Sequence, residues 1–185
     1  MTAKFSVRKD KMEDKKFIEQ QLVTNTEAFT RFVSAQTEHQ FVNTPNGKWS
    51  VGQNLEHLIR SLAPVNQALL LPGFILRLLF GTPNRKPRTY EELVDRYNQK
   101  LAAGGRASGR FVPPAIAWND RDKKIAALNR ERDKMIARLR SLSESKLDTC
   151  VLPHPLLGKL TLREMLFFSV YHIEHHRKSI ELLLK

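Results

Sequence analysis

Three of the six histidines lie within five residues near the end of the chain, in the stretch YHIEHHRK at positions 171–178. His172 and His176 are four residues apart, so on a helix they lie on one face, one turn above the other. Neutral imidazole is the commonest metal-binding side chain, and such a pair can supply two nitrogens to one metal ion. Glu174 lies two residues from each of them, on another side of the helix, so it is poorly placed to act as their catalytic base.

A third ligand must come from elsewhere in the chain, and three other histidines are candidates. His39 lies near the end of the first predicted helix, and His154 lies in a predicted loop between two prolines. His57 lies inside the second predicted helix, beside the apolar residues Leu55 and Leu58. That position at the border of an apolar stripe is typical of a side chain that lines an internal cavity.

Apolar residues at helical spacing predict four long helices, at about 11–42, 50–71, 119–142 and 161–185. Ser50, Thr89 and Thr161 are each followed three residues later by Gln or Glu, the pattern of a capping box at a helix start. No alternating pattern predicts a strand, and 143–159 is expected to be a loop. The sequence therefore predicts an all-α fold, a four-helix bundle formed by one domain over 1–185.

Two segments are expected to lie outside the four long helices. Residues 1–10 are polar and charged, and we expect them to be a loose lead-in. Residues 81–118 form a long crossover connection that is rich in Gly, Pro and positive charge, and one short extra helix is predicted after Thr89. A connection of this length in a compact domain is usually functional or mobile.

Composition limits the classes of partner and location. Lys and Arg number 31 and Asp and Glu 19, a formal charge of +12. This favours either an anionic small molecule or a basic surface with no dedicated partner. A nucleic-acid partner is not expected, because no motif that reads bases is present.

The single cysteine, Cys150, has no residue nearby in the sequence that would activate it as a nucleophile, and it cannot form an internal disulfide. Since the first residues also lack an apolar signal core, we expect a cytoplasmic location.

The most apolar run, ALLLPGFILRLLF at 68–80, has thirteen residues. A transmembrane helix needs about 20. No transmembrane segment is therefore predicted. The run is interpreted as core or as the contact of a homodimer, and an interfacial membrane segment is the weaker alternative.

Several short motifs occur together in register. Trp-Ser at 49–50 precedes His-Leu at 57–58 on an early helix, and HPLLGKLTLRE at 154–164 precedes HIEHHR at 172–177. This pattern resembles the DinB-like superfamily over nearly the whole chain. The resemblance implies a four-helix bundle that holds a divalent metal, Zn²⁺ or Ni²⁺ above all, with His57, His172 and His176. The extended basic connection at 81–118 departs from the family pattern and could reshape the mouth of the pocket.

The resemblance also implies a class of function. Three protein ligands leave coordination positions open, which is the arrangement of catalytic and not of structural zinc sites. The superfamily includes thiol-dependent S-transferases and a maleylpyruvate isomerase that uses a low-molecular-weight thiol. The resemblance therefore implies metal-dependent hydrolysis or thiol-dependent S-transfer on a small-molecule substrate. No catalytic side chain is assigned; the reacting group would be a water or substrate thiol held by the metal. The alternative function is a non-catalytic metal-binding or stress-response module that forms a homodimer.

Other residues near the motifs receive mainly structural interpretations. His175 is expected to be a hydrogen-bond partner of a ligand or a surface residue. Glu56 and Glu174 could each orient a ligand histidine by accepting its second N–H. Trp49 and Trp118 are expected to pack in the core, and a place in the pocket wall is the minor alternative.

Overall fold

The computed structural model describes residues 15–184, which form eight α-helices and one β-hairpin. The elements in chain order are α1 Lys15–Ser34, α2 Glu38–Val42, α3 Val51–Leu70, α4 Gly73–Phe80, α5 Tyr90–Ala102, α6 Arg121–Ser141, α7 Glu144–Thr149, β1 Val151–His154, β2 Gly158–Thr161 and α8 Leu162–Leu183.

The four long helices α1, α3, α6 and α8 form a bundle, so the predicted all-α four-helix bundle is confirmed. Helix α3 packs on α6 and α8, and α1 packs on α6 and α8. Their apolar stripes meet in one core, in which Phe29, Phe167 and Met135 are fully buried. Burial of these stripes is the main force that holds the helices together.

Local sequence signals set most of the helix starts. Ser50, Thr89 and Thr161 all form the predicted capping boxes at the starts of α3, α5 and α8. In each, the hydroxyl accepts a backbone N–H and the Gln or Glu three residues later accepts the N–H of the cap residue, so two free donors are satisfied.

The prediction of one continuous helix from 11 to 42 is wrong. Helix α1 ends at Ser34, and a further capping box at Thr37 starts the short helix α2. The Thr37 hydroxyl accepts the Gln40 N–H at 3.3 Å, and Gln40 Oε1 accepts the Thr37 N–H at 3.0 Å. This box satisfies the donors of a new helix start, so the chain can turn there. The predicted start at residue 11 lies outside the described residues.

The expectation of a loop without strands between 143 and 159 is also wrong. Helix α7 occupies its first part, and β1 and β2 pair as an antiparallel hairpin in which Val151 lies opposite Thr161. Each strand has only four residues, which is too short for a clear alternating pattern. The hairpin buries Leu152 and Leu160 against the bundle and leads directly into α8.

The connection at 81–118 lies across the bundle near α8 and α3. Its predicted short helix, α5, packs on α8 through edge-to-face aromatic pairs, with the rings of Tyr97 and Phe168 5.1 Å apart. Before α5, Arg85 donates two hydrogen bonds to the buried carboxylate of Glu164, at 2.8 and 3.1 Å. After α5, the chain reaches α3, where Phe111 lies next to His57. The connection therefore forms one side of the space between α3 and α8.

The apolar run at 68–80 is divided between the end of α3 and α4, and the chain bends by 118° between these two helices. Among residues 15–184 no single helix has the length and apolar character needed to cross a membrane, although α3 and α4 taken together satisfy that test as a bent pair. Leu76 is buried, whereas Phe74, Leu78 and Leu79 are exposed. Only part of the run therefore belongs to the core.

Candidate metal centre

The three predicted ligand histidines lie together between α3 and α8. The Nε2 atom of His172 lies 3.2 Å from Nε2 of His57 and 3.0 Å from Nε2 of His176. One ligand nitrogen from each ring lies within 4.8 Å of the other two, and all three residues are buried. In the described part of the chain, this is the only cluster of three histidine, cysteine or carboxylate side chains with metal-binding spacing.

Hydrogen bonds at the far side of two rings orient their lone pairs toward the cluster. The Nδ1 atom of His57 lies 2.7 Å from the backbone carbonyl of Phe111. The Nδ1 atom of His176 lies 2.6 Å from Oδ1 of Asn54. The Asn54 amide is itself oriented, because its Nδ2 donates to the carbonyls of Ser50 at 2.8 Å and Trp49 at 3.2 Å. Since both Nδ1 atoms face acceptors, they carry the protons, and both Nε2 atoms present lone pairs.

The rings are neutral near pH 7. Burial lowers the pKa of His57, and burial together with the neighbouring histidines lowers the pKa values of His172 and His176 well below 6.5. His172 can carry at most one proton on Nε2, which can satisfy only one of the two lone pairs that face it. A cation at this point would satisfy all three nitrogens.

The spacing of the nitrogens also fits a divalent metal. Imidazole binds zinc at about 2.0–2.1 Å, which places two ligand nitrogens roughly 2.9–3.4 Å apart for bond angles between about 90° and 110°. The observed separations of 3.0 and 3.2 Å lie in this range. The three donors are buried imidazole nitrogens, a ligand type that suits first-row metals such as zinc and nickel.

A cavity of about 800 Å³ opens beside the three histidines. Trp49 forms part of its wall, with its ring 4.9 Å from that of His57, and Phe168 stacks on His172 at 4.6 Å. Trp49 therefore lies in the pocket wall, which was the minor alternative to its expected place in the core. Trp118 is half-buried and packs against the core, with its ring 5.7 Å from that of the fully buried Phe41.

The charged residues that line the cavity are all basic: Lys48, Arg106 and Arg110. No aspartate or glutamate occurs among the described residues of the lining. Arg106 and Arg110 belong to the basic connection at 81–118, so this segment does shape the cavity. The resulting potential favours an anion or a polar group with a negative end.

Neither carboxylate that could have oriented a ligand does so. Glu56 forms ion pairs with Arg60 at 2.8 Å and Lys124 at 2.7 Å. Glu174 forms ion pairs with Arg177 at 2.8 Å and with Lys178. In both cases the hydrogen bonds to the cations outweigh burial and lower the pKa of the carboxyl group.

The remaining residues singled out in the sequence lie outside the cluster. His175 is half-buried and lines the cavity, with its ring 5.4 Å from that of His176 and 5.6 Å from that of Tyr97. His39 is exposed on α2. Cys150 is fully buried, and its Sγ lies 3.7 Å from the carbonyl of Gly73. Burial away from the cavity agrees with the expectation that this thiol is not a nucleophile.

Sequence reasoning missed the two groups that orient the candidate ligands. Asn54 precedes His57 by three residues, so its place on the same side of α3 was readable, but its contact with His176 was not. Phe111 acts through its backbone carbonyl, which any residue could supply. No signal in the sequence identifies that group.

Comparisons with known proteins agree with this architecture. The family model of the DinB superfamily matches residues 21–180. No curated protein matches the chain significantly. Among solved structures, YfiT from Bacillus subtilis matches with a TM-score of 0.56 and 21% identity, over 92% of this chain and 86% of its own. YfiT is described as a probable metal-dependent hydrolase with an unusual four-helix bundle topology, and at this identity the likeness shows the fold. Because the family model covers most of the chain, this protein belongs to the DinB superfamily.

Proposed function

We propose that the protein is a metal-dependent enzyme in which His57, His172 and His176 hold one divalent metal ion, with zinc and nickel as the first candidates. The observation that carries the proposal is the convergence of the three Nε2 atoms beside an open cavity. That of His172 lies 3.0 Å from that of His176 and 3.2 Å from that of His57. Two of these atoms have their lone pairs oriented by hydrogen bonds on the far side of the ring. The description of YfiT as a probable metal-dependent hydrolase supports the same class.

A divalent metal in this place would supply Lewis acidity, by which it lowers the pKa of a water or thiol and polarises an electrophile. The protein's own groups prepare the site for it. Burial keeps the three imidazoles neutral, and Asn54 and the Phe111 carbonyl hold two of them in one orientation.

The substrate is proposed to be a small molecule with an apolar body and an anionic group. Trp49, Phe168 and other apolar side chains of the cavity exclude water from the body of such a molecule. Lys48, Arg106 and Arg110 supply positive charge, and no carboxylate of the described lining opposes it.

Two reaction classes are proposed: hydrolysis, and transfer to a low-molecular-weight thiol. The described lining contains no carboxylate, so His175 is the lining histidine outside the cluster that could take a proton from an attacking water. A thiol loses its proton more readily than water does, so it depends less on such a base.

Metal content and turnover test the proposal separately. Protein expressed with added zinc or nickel should contain about one metal ion per chain. His172→Ala should lose the metal, whereas His39→Ala, at an exposed histidine, should keep it. Turnover is then assayed with nitrophenyl acetate for hydrolysis, and with monochlorobimane plus cysteine for thiol transfer. Wild-type protein without metal, or a His172→Ala variant that retains it, would refute the proposed ligands.

A second candidate function is a homodimeric module that binds metal but has no turnover. It is favoured by an exposed apolar surface at the end of α3 and on α4, where Leu70, Phe74, Leu78 and Leu79 are each more than half exposed. Several large apolar side chains exposed within one short segment often mark an interface. We propose that two copies meet there in either function.

Sedimentation velocity tests the interface. The wild type should sediment as a dimer, and Leu78→Asp should dissociate it, because a charge at the centre of the contact would be desolvated. A wild type that stays monomeric at tens of micromolar (roughly the range of weak homodimers) would refute the interface. A metal-loaded dimer that turns over neither probe would favour the module.

We also propose a cytoplasmic location. It is supported by the single cysteine, which is buried as a free thiol in the structure.

A further inference from the structure

His154 occupies a place in the cavity wall that the metal cluster does not use. It is the last residue of β1 and lines the cavity. Its ring lies edge-on against Phe168, 4.3 Å between centroids, and Phe168 stacks on His172 at 4.6 Å. His154 therefore lies one aromatic ring away from the cluster and is not part of it.

The hairpin turn determines which nitrogen of His154 carries the proton. Its Nδ1 atom lies 3.1 Å from the backbone N–H of Leu156 and 3.2 Å from that of Leu157. A backbone N–H can only donate, so Nδ1 accepts both hydrogen bonds and has no proton of its own. The neutral ring must then carry its proton on Nε2.

The ring stays neutral across the physiological range, because burial lowers the pKa of His154 to about 4. Within residues 15–184, no group accepts a hydrogen bond from Nε2. Since Nδ1 faces the turn, Nε2 is the ring nitrogen left for the cavity. The cavity wall thus contains an uncharged donor whose direction is set by the hairpin turn, beside the three cations and the apolar side chains of the lining.

We propose that His154 is a substrate-binding residue, whose Nε2–H donates a hydrogen bond to a carbonyl or carboxylate oxygen of the molecule bound beside the three histidines. This rests on the proposed function for the presence of a substrate in the cavity. A neutral oriented donor adds directional selectivity that Lys48, Arg106 and Arg110 do not supply, because flexible cations attract an anion from many directions. A ligand that lacks an acceptor would leave this donor unpaired, which is an effective basis for rejecting it.

The first measurement is the tautomer of His154 in the wild-type protein, read from NMR spectra of the imidazole nitrogens. The proton should be on Nε2, without titration between about pH 5 and about pH 8. Addition of benzoate, a probe with an apolar ring and one carboxylate, should shift the Nε2 and Hε2 resonances. This measurement requires neither a variant nor turnover.

The second measurement compares benzoate affinity in wild type, His154→Asn and His39→Asn. Asparagine can still accept the N–H groups of the turn through its side-chain oxygen, but it is too short to present the donor in the cavity. We expect His154→Asn to bind benzoate about three- to tenfold more weakly, with metal content and far-UV circular dichroism unchanged, and His39→Asn to match the wild type.

Three results would overturn the assignment: a proton on Nδ1 of His154, no detectable binding of benzoate by the wild type, or equal affinities in wild type and His154→Asn. None of these depends on turnover. A failure of the proposed catalytic function would appear instead in the nitrophenyl acetate and monochlorobimane assays, with the benzoate results intact.

Discussion

The hydrogen bond between Asn54 and His176 should control metal affinity from outside the set of ligands. Asn54→Ala removes the acceptor that lies 2.6 Å from Nδ1 of His176. It also removes the Nδ2 donor to the carbonyls of Trp49 and Ser50. The His176 ring then loses the group that fixes its proton on Nδ1 and its lone pair on Nε2.

The expected magnitudes follow from the burial of these groups. Loss of such a partner typically weakens metal binding 10- to 100-fold, or by about 1.4–2.7 kcal/mol. Asn54 and His176 are both buried, so the unpaired Nδ1–H costs about 1–3 kcal/mol of folding free energy, and the lost Nδ2 bonds cost about 1 kcal/mol more. We therefore expect the free energy of unfolding of Asn54→Ala to be about 2–4 kcal/mol lower than that of the wild type.

The assay is zinc affinity by chelator competition, together with denaturant unfolding of the same samples. Asn54→Asp should keep zinc affinity near that of the wild type, because a carboxylate still accepts the Nδ1–H of His176, while stability falls with the lost donor. The matched control is Asn66→Ala. Asn66 is buried on the same helix and donates to Glu131 at 2.9 and 2.7 Å, away from the metal centre.

Asn66→Ala should lose stability without losing zinc affinity. If Asn54→Ala and Asn66→Ala bind zinc equally well, and both as tightly as the wild type, Asn54 does not position His176 for the metal.

Three further predictions concern stability and are measured by denaturant unfolding. Burial lowers the pKa of His154 from 6.5 to about 4, so below pH 6.5 the unfolded chain binds more protons than the folded chain, and stability should fall as the pH drops from 6.5 to about 4. His154→Asn should remove up to about 3 kcal/mol of that fall. The same pH profile in the wild type and in the variant would contradict a buried, neutral His154. Arg85→Ala removes the arginine that forms two hydrogen bonds to the buried Glu164 carboxylate, and it should lower stability by about 2–3 kcal/mol. A loss of stability under about 0.5 kcal/mol would show that water replaces these hydrogen bonds at little cost. Gly52→Ala places a methyl group about 2.8 Å from Phe41 Cε1. This overpacking should lower stability by about 1–2 kcal/mol, although alanine has a better helix propensity than glycine. A gain in stability would show that the Phe41 ring moves aside without cost.

Much of the fold was predictable because its signals are local. A capping box needs only two residues three positions apart, so Ser50 and Thr161 mark helix starts whatever the rest of the chain does. The box at Thr37 was present too, but the apolar spacing continues past it and predicted one helix where there are two. Strands β1 and β2 are stabilised by pairing with each other, and four residues are too few to show this in advance.

The candidate metal centre was likewise predictable only where its signals are local. The spacing of His172 and His176 determined by itself that both lie on one face of a helix, since four residues are about one turn. The choice of His57 over His39 and His154 rested on a family resemblance. In the structure that choice follows from the packing of α3 against α8, which brings His57 Nε2 to 3.2 Å from His172.

Only the tertiary structure decided what orients and surrounds the three histidines. Asn54 on α3 contacts His176 on α8. The Phe111 carbonyl belongs to a connection whose conformation the sequence pattern does not predict. His154 directs one ring nitrogen to the hairpin turn and the other to the cavity. These partners are far apart in sequence or act through backbone groups that carry no residue identity. Their positions depend on how the helices pack, and local periodicity contains no information on that packing.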